Sequence, residues 1–160
     1  MSSLERLINL SRRRKGRFEM TRHLLLIVSL LFAASAWAAG VEVSGAWIRL
    51  LPGGAPAGGY FALRNPGEQA MALVGASSPD YGMVMIHKTV EQGGISKMIH
   101  VDKIEVPAGG KVSFSPGSYH LMLMNPKHGI AVGSRIPVTL KFSDGQEVDA
   151  QFEVRGPTAR

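Results

Sequence analysis

The chain has 160 residues, no cysteine, 18 Lys and Arg against 12 Asp and Glu, and a formal net charge of +6. That length holds one buried core, and the lack of thiols excludes zinc fingers, iron–sulfur clusters, cysteine nucleophiles and disulfide staples. The positive charge is local. Seven of the basic side chains but only two of the acidic ones lie in residues 1–38, leaving 11 against 10 in the rest. Without a clustered basic patch there is no case for nucleic-acid binding.

Taken from the start, Arg12, Arg13, Arg14, Lys15, Arg17 and Arg22 precede an apolar run from Leu24 to Ala34, and Ala36-Trp37-Ala38 follows. A basic region, an apolar segment and a small-residue exit describe a secretory signal peptide. The apolar stretch Leu24 to Ala39 falls short of the roughly 20 residues of a spanning helix. Residues 1–38 are therefore expected to be cleaved near Ala38 on export to the periplasm, leaving 39–160 with no membrane span. Translation can start at Met1 or at Met20, because Met20-Thr21-Arg22 already supplies a basic leader.

The remainder is a succession of short alternating runs separated by Gly, Pro, Asn and Asp, which predicts an all-β sandwich or barrel. Val41 to Leu50 forms a first strand region, closed by a loop over Pro52 to Gly59. Tyr60 to Arg64 and Ala70 to Ala76 flank Asn65-Pro66-Gly67-Glu68. Met83 to Val90 and Ile95 to Val101 flank Glu91-Gln92-Gly93-Gly94. Ile104 to Val106 and Val112 to Phe114 flank Pro107-Ala108-Gly109-Gly110. Tyr119 to Met124 then precedes the clearest hairpin. There Ile136, Val138, Leu140 and Phe142, and across Asp144-Gly145 Val148, Ala150, Phe152 and Val154, alternate with polar residues. One face is apolar and the other wet, as a half-buried strand requires.

Histidine and methionine concentrate in one stretch. Of the six methionines beyond residue 39, five lie between Met83 and Met124, as do three of the four histidines. Met83, Met85 and His87 share one face of their strand. If Glu91 to Gly94 form a four-residue loop, Val90 pairs with Ile95 and His87 faces Met98 across the ladder, within reach of a common ion; a one-residue slip would separate them. His120, Met122 and Met124 share a face of the later strand, with Leu121 and Leu123 on the other. Thioether sulfur is soft and imidazole intermediate, a combination that favours Cu(I); a blue-copper electron-transfer centre would need a thiolate that is absent. Met71, Met83 and Met85 read as packing residues. His100 reads as a satisfied or solvated imidazole and His128 as a loop residue, while Met124 is balanced between a ligand and a cap on the core.

The spacing His-x10-Met-x21-His-x-Met, from His87 through Met98 and His120 to Met122, resembles that of the periplasmic PCu(A)C copper chaperone family. Ala46-Trp47-Ile48-Arg49, Ile104-Glu105-Val106-Pro107-Ala108-Gly109-Gly110 and Pro116 to Met124 also look like that family's recurring segments, so the similarity covers residues 41–155. The resemblance implies a cupredoxin-like Greek-key β-sandwich in which His87, Met98, His120 and Met122 hold one Cu(I) per chain. It further implies delivery of copper to the dinuclear copper site of cytochrome c oxidase, beside a thiol-containing partner chaperone. A periplasmic copper-sequestering protein for metal tolerance is the alternative. The closing run Arg155 to Arg160 lacks the His and Met with which some relatives take Cu(II). No Ser-His-Asp or paired-carboxylate arrangement stands out, and Asp80, Asp102 and Asp144 sit in turn contexts, so an enzyme is not expected.

Overall fold

The computed structural model describes residues 40–160; the expected signal peptide lies outside the described residues. Ten strands follow one another: β1 Glu42–Arg49, β2 Ala57–Arg64, β3 Met71–Ser77, β4 Tyr81–Gln92, β5 Ile95–His100, β6 Ile104–Val106, β7 Lys111–Phe114, β8 Tyr119–Pro126, β9 Arg135–Phe142 and β10 Glu147–Arg155. One 3-10 turn, Pro52–Gly54, interrupts them. Among the described residues no helix is long and apolar enough to cross a membrane.

The strands form one hydrogen-bonded ladder in the order β5-β4-β8-β7-β2-β1-β10-β9-β3-β6, with β8 also pairing β2. Chain neighbours are often separated: β4 pairs β8, β2 pairs β7 and β3 pairs β9, the crossings of a Greek key. β1 runs parallel to β10, with Trp47 beside Glu153. The ladder doubles over so that its two halves face each other. Ile86, Leu121 and Leu123 from one half and Leu73, Val106, Leu140 and Phe142 from the other belong to one buried cluster. Full burial of a Leu or Phe side chain stabilises by ~1.5–3 kcal/mol, so this shared core is what holds the halves together.

The final hairpin follows the sequence pattern closely. Ile136, Val138, Leu140, Phe142, Phe152 and Val154 are all buried. Two departures from the expected elements matter for the site. β2 begins at Ala57, inside the expected loop, and Ala57, Gly58 and Gly59 pair with Leu123, Met122 and Leu121. Glycine permits that approach, because a Cβ on Gly59 would stand 3.1 Å from Leu121 Cβ.

The second departure is the β4–β5 turn. The expected four-residue loop is a two-residue turn, since Gln92 pairs with Ile95 and Glu91 with Ser96. Gly93 and Gly94 have φ of 63° and 76°, the left-handed values of a turn whose twist matches a hairpin. The register therefore moves by two residues: His87 faces His100, and Met98 faces Thr89. A shift of two leaves every side chain on its expected face.

Gly94→Val should lower stability by about 1–2 kcal/mol, because a side chain there must adopt a left-handed backbone. Equilibrium urea unfolding measures it; an unchanged midpoint would mean the turn relaxes without cost.

Candidate metal centre

The site grows from the alternation of β4 and β8. Ile86, Leu121 and Leu123 point inward and are 3 % exposed or less. Their neighbours must then point outward, and the ladder sets them in rungs: His87 opposite His120, Met85 opposite Met122, Met83 opposite Met124. β5 extends the His87 rung with His100. β2 brings Gly58 opposite Met122. Tyr60 closes that side, its ring centroid 6.4 Å from that of His120 and 4.6 Å from that of Trp47. The Arg49 guanidinium lies over both aromatic rings and donates to the Ala159 carbonyl at 2.8 Å.

The two histidines are unusual in what they lack. His120 is 5 % exposed, and its Nδ1 lies 3.1 Å from the Ser118 carbonyl oxygen. A carbonyl only accepts, so Nδ1 carries the proton and the Nε2 lone pair is left free. That Nε2 is buried with no partner, and so are both ring nitrogens of His87. Leaving a buried polar atom unpaired costs about 1–3 kcal/mol, and here three such atoms sit on two rings whose centroids are 5.9 Å apart. Burial, followed by the neighbouring His120 and His100, pushes the His87 pKa below its ordinary 6.5. The imidazole is thus held neutral, the form that binds a metal.

Four residues are expected here from the sequence. His87, His120 and Met122 occupy adjacent rungs. Met98 does not face His87 but stands two residues along β5, on the diagonal, where Cβ atoms are ~7–8 Å apart or somewhat less. Its side chain is 61 % exposed and overhangs a cleft of about 420 Å³ lined also by His120, Met122, Tyr60 and Arg49. Among the described residues no three His, Asp or Glu side chains converge as a metal site. An ion beside His87 and His120 would need thioether sulfur to complete its shell.

The family model described as "Putative lipoprotein LpqE-like" matches residues 41–154. The chain belongs to the LpqE-like family. It is 36 % identical over 107 residues to "Putative lipoprotein Lxx21020" of Leifsonia xyli subsp. xyli, a match covering 66 % of this chain and 64 % of that one. An uncharacterized protein of Rickettsia prowazekii is 36 % identical over 89 residues, covering 55 % and 49 %. The chain therefore spans less than two thirds of the length of these curated relatives. Among solved structures, the copper-bound PCuAC domain from PmoF2 matches with a TM-score of 0.63 at 25 % identity, over 75 % of this chain and 96 % of that domain. The solution structure of CuI-DR1885 from Deinococcus radiodurans matches with a TM-score of 0.61 at 32 % identity, over 76 % and 83 %. The all-β fold of this LpqE-like chain is thus that of the PCuAC domains.

Some side chains depart from their expected parts. Met71 is half-buried against the core, as expected of a packing residue, but Met83 is 47 % exposed and Met85 faces Met122 on the site side of the sheet. Period two fixes the face; which face is covered depends on partner strands distant in sequence. His100 contacts the Asp102 carboxylate at 3.3 Å, yet it also stands directly opposite His87, which the longer expected loop concealed. Tyr60 and Arg49 line the cleft although the His and Met pattern of the sequence does not point to them. The alternation Trp47-Ile48-Arg49, with Ile48 wholly buried, is the signal that places Trp47 and Arg49 together on the opposite face. His128 is the expected loop residue, exposed and 2.9 Å from Asp80.

The metal-free protein should lose stability as the pH falls through about 6.5. His87 is neutral when folded because its pKa is depressed, whereas in the unfolded chain it takes up a proton near its ordinary value; protonation therefore draws the equilibrium towards unfolding below that pH, and the contribution is complete above it. His128, raised by its hydrogen bond to Asp80, acts in the opposite sense, so the comparison is with His87→Gln. Urea midpoints at pH 7.5 and 5.5 should converge in that variant relative to the parent; an equal loss in both proteins would remove His87 as the cause.

Proposed function

We propose that this chain is a periplasmic carrier of Cu(I), one ion per chain, bound by His87, Met98, His120 and Met122. The observation that carries the reading is the trio of buried, unpartnered ring nitrogens on His87 and His120, set beside thioethers with no carboxylate among them. Two imidazoles and soft, uncharged sulfur suit a monovalent soft ion, whereas Ca(II) or Mg(II) would demand oxygen donors and structural Zn(II) usually thiolates. The hydrogen bond from His120 Nδ1 to the Ser118 carbonyl fixes the tautomer that presents Nε2, a device common around bound metals. Similarity to a copper-bound PCuAC domain and to a Cu(I)-loaded one supports the choice of metal.

The same chemistry supports carriage over storage. Four neutral donors leave the ion its single positive charge, so an acceptor offering thiolates holds it more strongly. Met98, exposed on the terminal strand of the sheet, is the donor that incoming ligands meet first. The acceptor in this reading is the dinuclear copper site of cytochrome c oxidase, reached directly or through a thiol-containing chaperone. The leader-like composition of residues 1–38, ahead of the family match over residues 41–154, supports export, as does the description of the family as putative lipoproteins. No catalytic step is assigned.

A Cu(I) competition titration against a chromogenic chelator, under reducing conditions, should give one copper per chain. Met122→Leu preserves volume but removes the sulfur, and should weaken binding about tenfold or more; Met98→Leu should do so by less. The loaded protein should surrender copper to a dithiol acceptor. Failure to compete with the chelator would refute the site, and retention of copper against the dithiol would identify a copper sink instead of a carrier.

A further inference from the structure

The methionines of the domain are unequally covered. Met85, Met122 and Met124 are half-buried where β4 and β8 lie side by side, and Met71 is half-buried against the core. Met83 and Met98 are exposed, Met98 the more so. Met98 owes this to its strand: β5 ends the sheet, and every residue of it is exposed. Directly across the ladder Met98 meets Thr89, and on its other side no strand follows. A thioether so placed is open to oxidants dissolved in water, whereas one inside the sheet is screened by its neighbours. The chain has no cysteine, so no thiol intercepts such an oxidant first, and thioether sulfur is its softest nucleophile.

We propose that Met98 is a redox modification site: hydrogen peroxide converts it to the sulfoxide, which disables it as a Cu(I) donor. The sulfur lone pair attacks one peroxide oxygen and the O–O bond breaks. The departing hydroxide takes the proton of the transferred oxygen and leaves as water, so sulfur is oxidised by two electrons and peroxide is reduced. The product offers a hard oxygen and an electron-poor sulfur in place of a soft thioether, a poor match for Cu(I). The new oxygen points into water, so the fold survives, whereas the same change in a core would disrupt packing. Reduction by two thiols of a separate reductase returns the thioether, releasing water and a disulfide. Met83 is the internal comparison. It shares the exposure but lies opposite Met124, two rungs from the His87–His120 pair, so its oxidation leaves the donors intact. The consequence for copper rests on the carrier reading; the oxidation itself does not.

Metal-free full-length protein treated with hydrogen peroxide, then digested and mapped by mass spectrometry, should gain about 16 Da at Met83 and at Met98 before Met85, Met122 or Met124. At that stage, with the peroxide removed, Cu(I) affinity by chelator competition should be lower by about threefold or more, and the urea midpoint unchanged. Methionine sulfoxide reductases for both sulfur epimers, with dithiothreitol that is then removed, should restore the affinity. In Met98→Leu, where Met83 still oxidises, peroxide should leave Cu(I) affinity within about twofold of its untreated value. Oxidation of the half-buried methionines ahead of Met98, or an equal loss of affinity in Met98→Leu, would overturn the proposal. Should the untreated protein fail to bind Cu(I), the carrier reading falls, and the order of oxidation still decides whether Met98 is the modification site.

Discussion

The ladder between β4 and β8 is the constraint on which the rest of the molecule depends. Ile86, Leu121 and Leu123 are locked into a core shared by both halves of the sandwich, and a strand cannot rotate one residue without turning them out to water. That apolar commitment fixes His87, His120 and Met122 outward as firmly as any bond to the side chains themselves. Burial inside thus generates precision outside. The close approach of Gly59 to Leu121 extends the same logic to β2, which carries Gly58 and Tyr60 to the margin of the cleft.

Against this rigid floor the proposed Cu(I) donors are unequally held. His120 is buried and tied through Nδ1 to the Ser118 carbonyl; Met122 is half-buried; Met98 lies exposed on a strand that ends the sheet. The gradient runs from the centre of the sheet to its edge. In the proposed site affinity would come from the fixed end, where little reorganisation is needed on binding. Exchange would come from the loose end, where a long, flexible thioether can be displaced without unpacking anything.

The strands and the sharing of faces were legible in the residues because both follow from period two and from turn chemistry, which are local. All ten observed strands overlap the ten runs read from alternation, and the faces of His87, His120 and Met122 came out correctly. What stayed hidden was register and non-local pairing. Whether His87 meets Met98 or His100 turned on Gly93 and Gly94 closing the hairpin as a two-residue turn, a choice of register that the alternation pattern cannot see, since a shift of two preserves it. That Ala57 to Gly59 form strand, and that Met83 lies open to solvent, depended on which distant strand lay alongside. The aromatic pair of Trp47 and Tyr60 forms where consecutive strands β1 and β2 set the two residues opposite each other, but its place beside His120 required β8, distant in the chain, to lie alongside.

The unpaired nitrogens carry one more implication. Their desolvation is a standing penalty of the empty protein, relieved when an ion binds the folded state and not the unfolded one, which raises stability by mass action. Loaded molecules therefore open less often than empty ones. Since degradation acts on opened chains, a chain that takes its ion as proposed would be turned over first in its empty form, and its standing abundance would follow the supply of that metal.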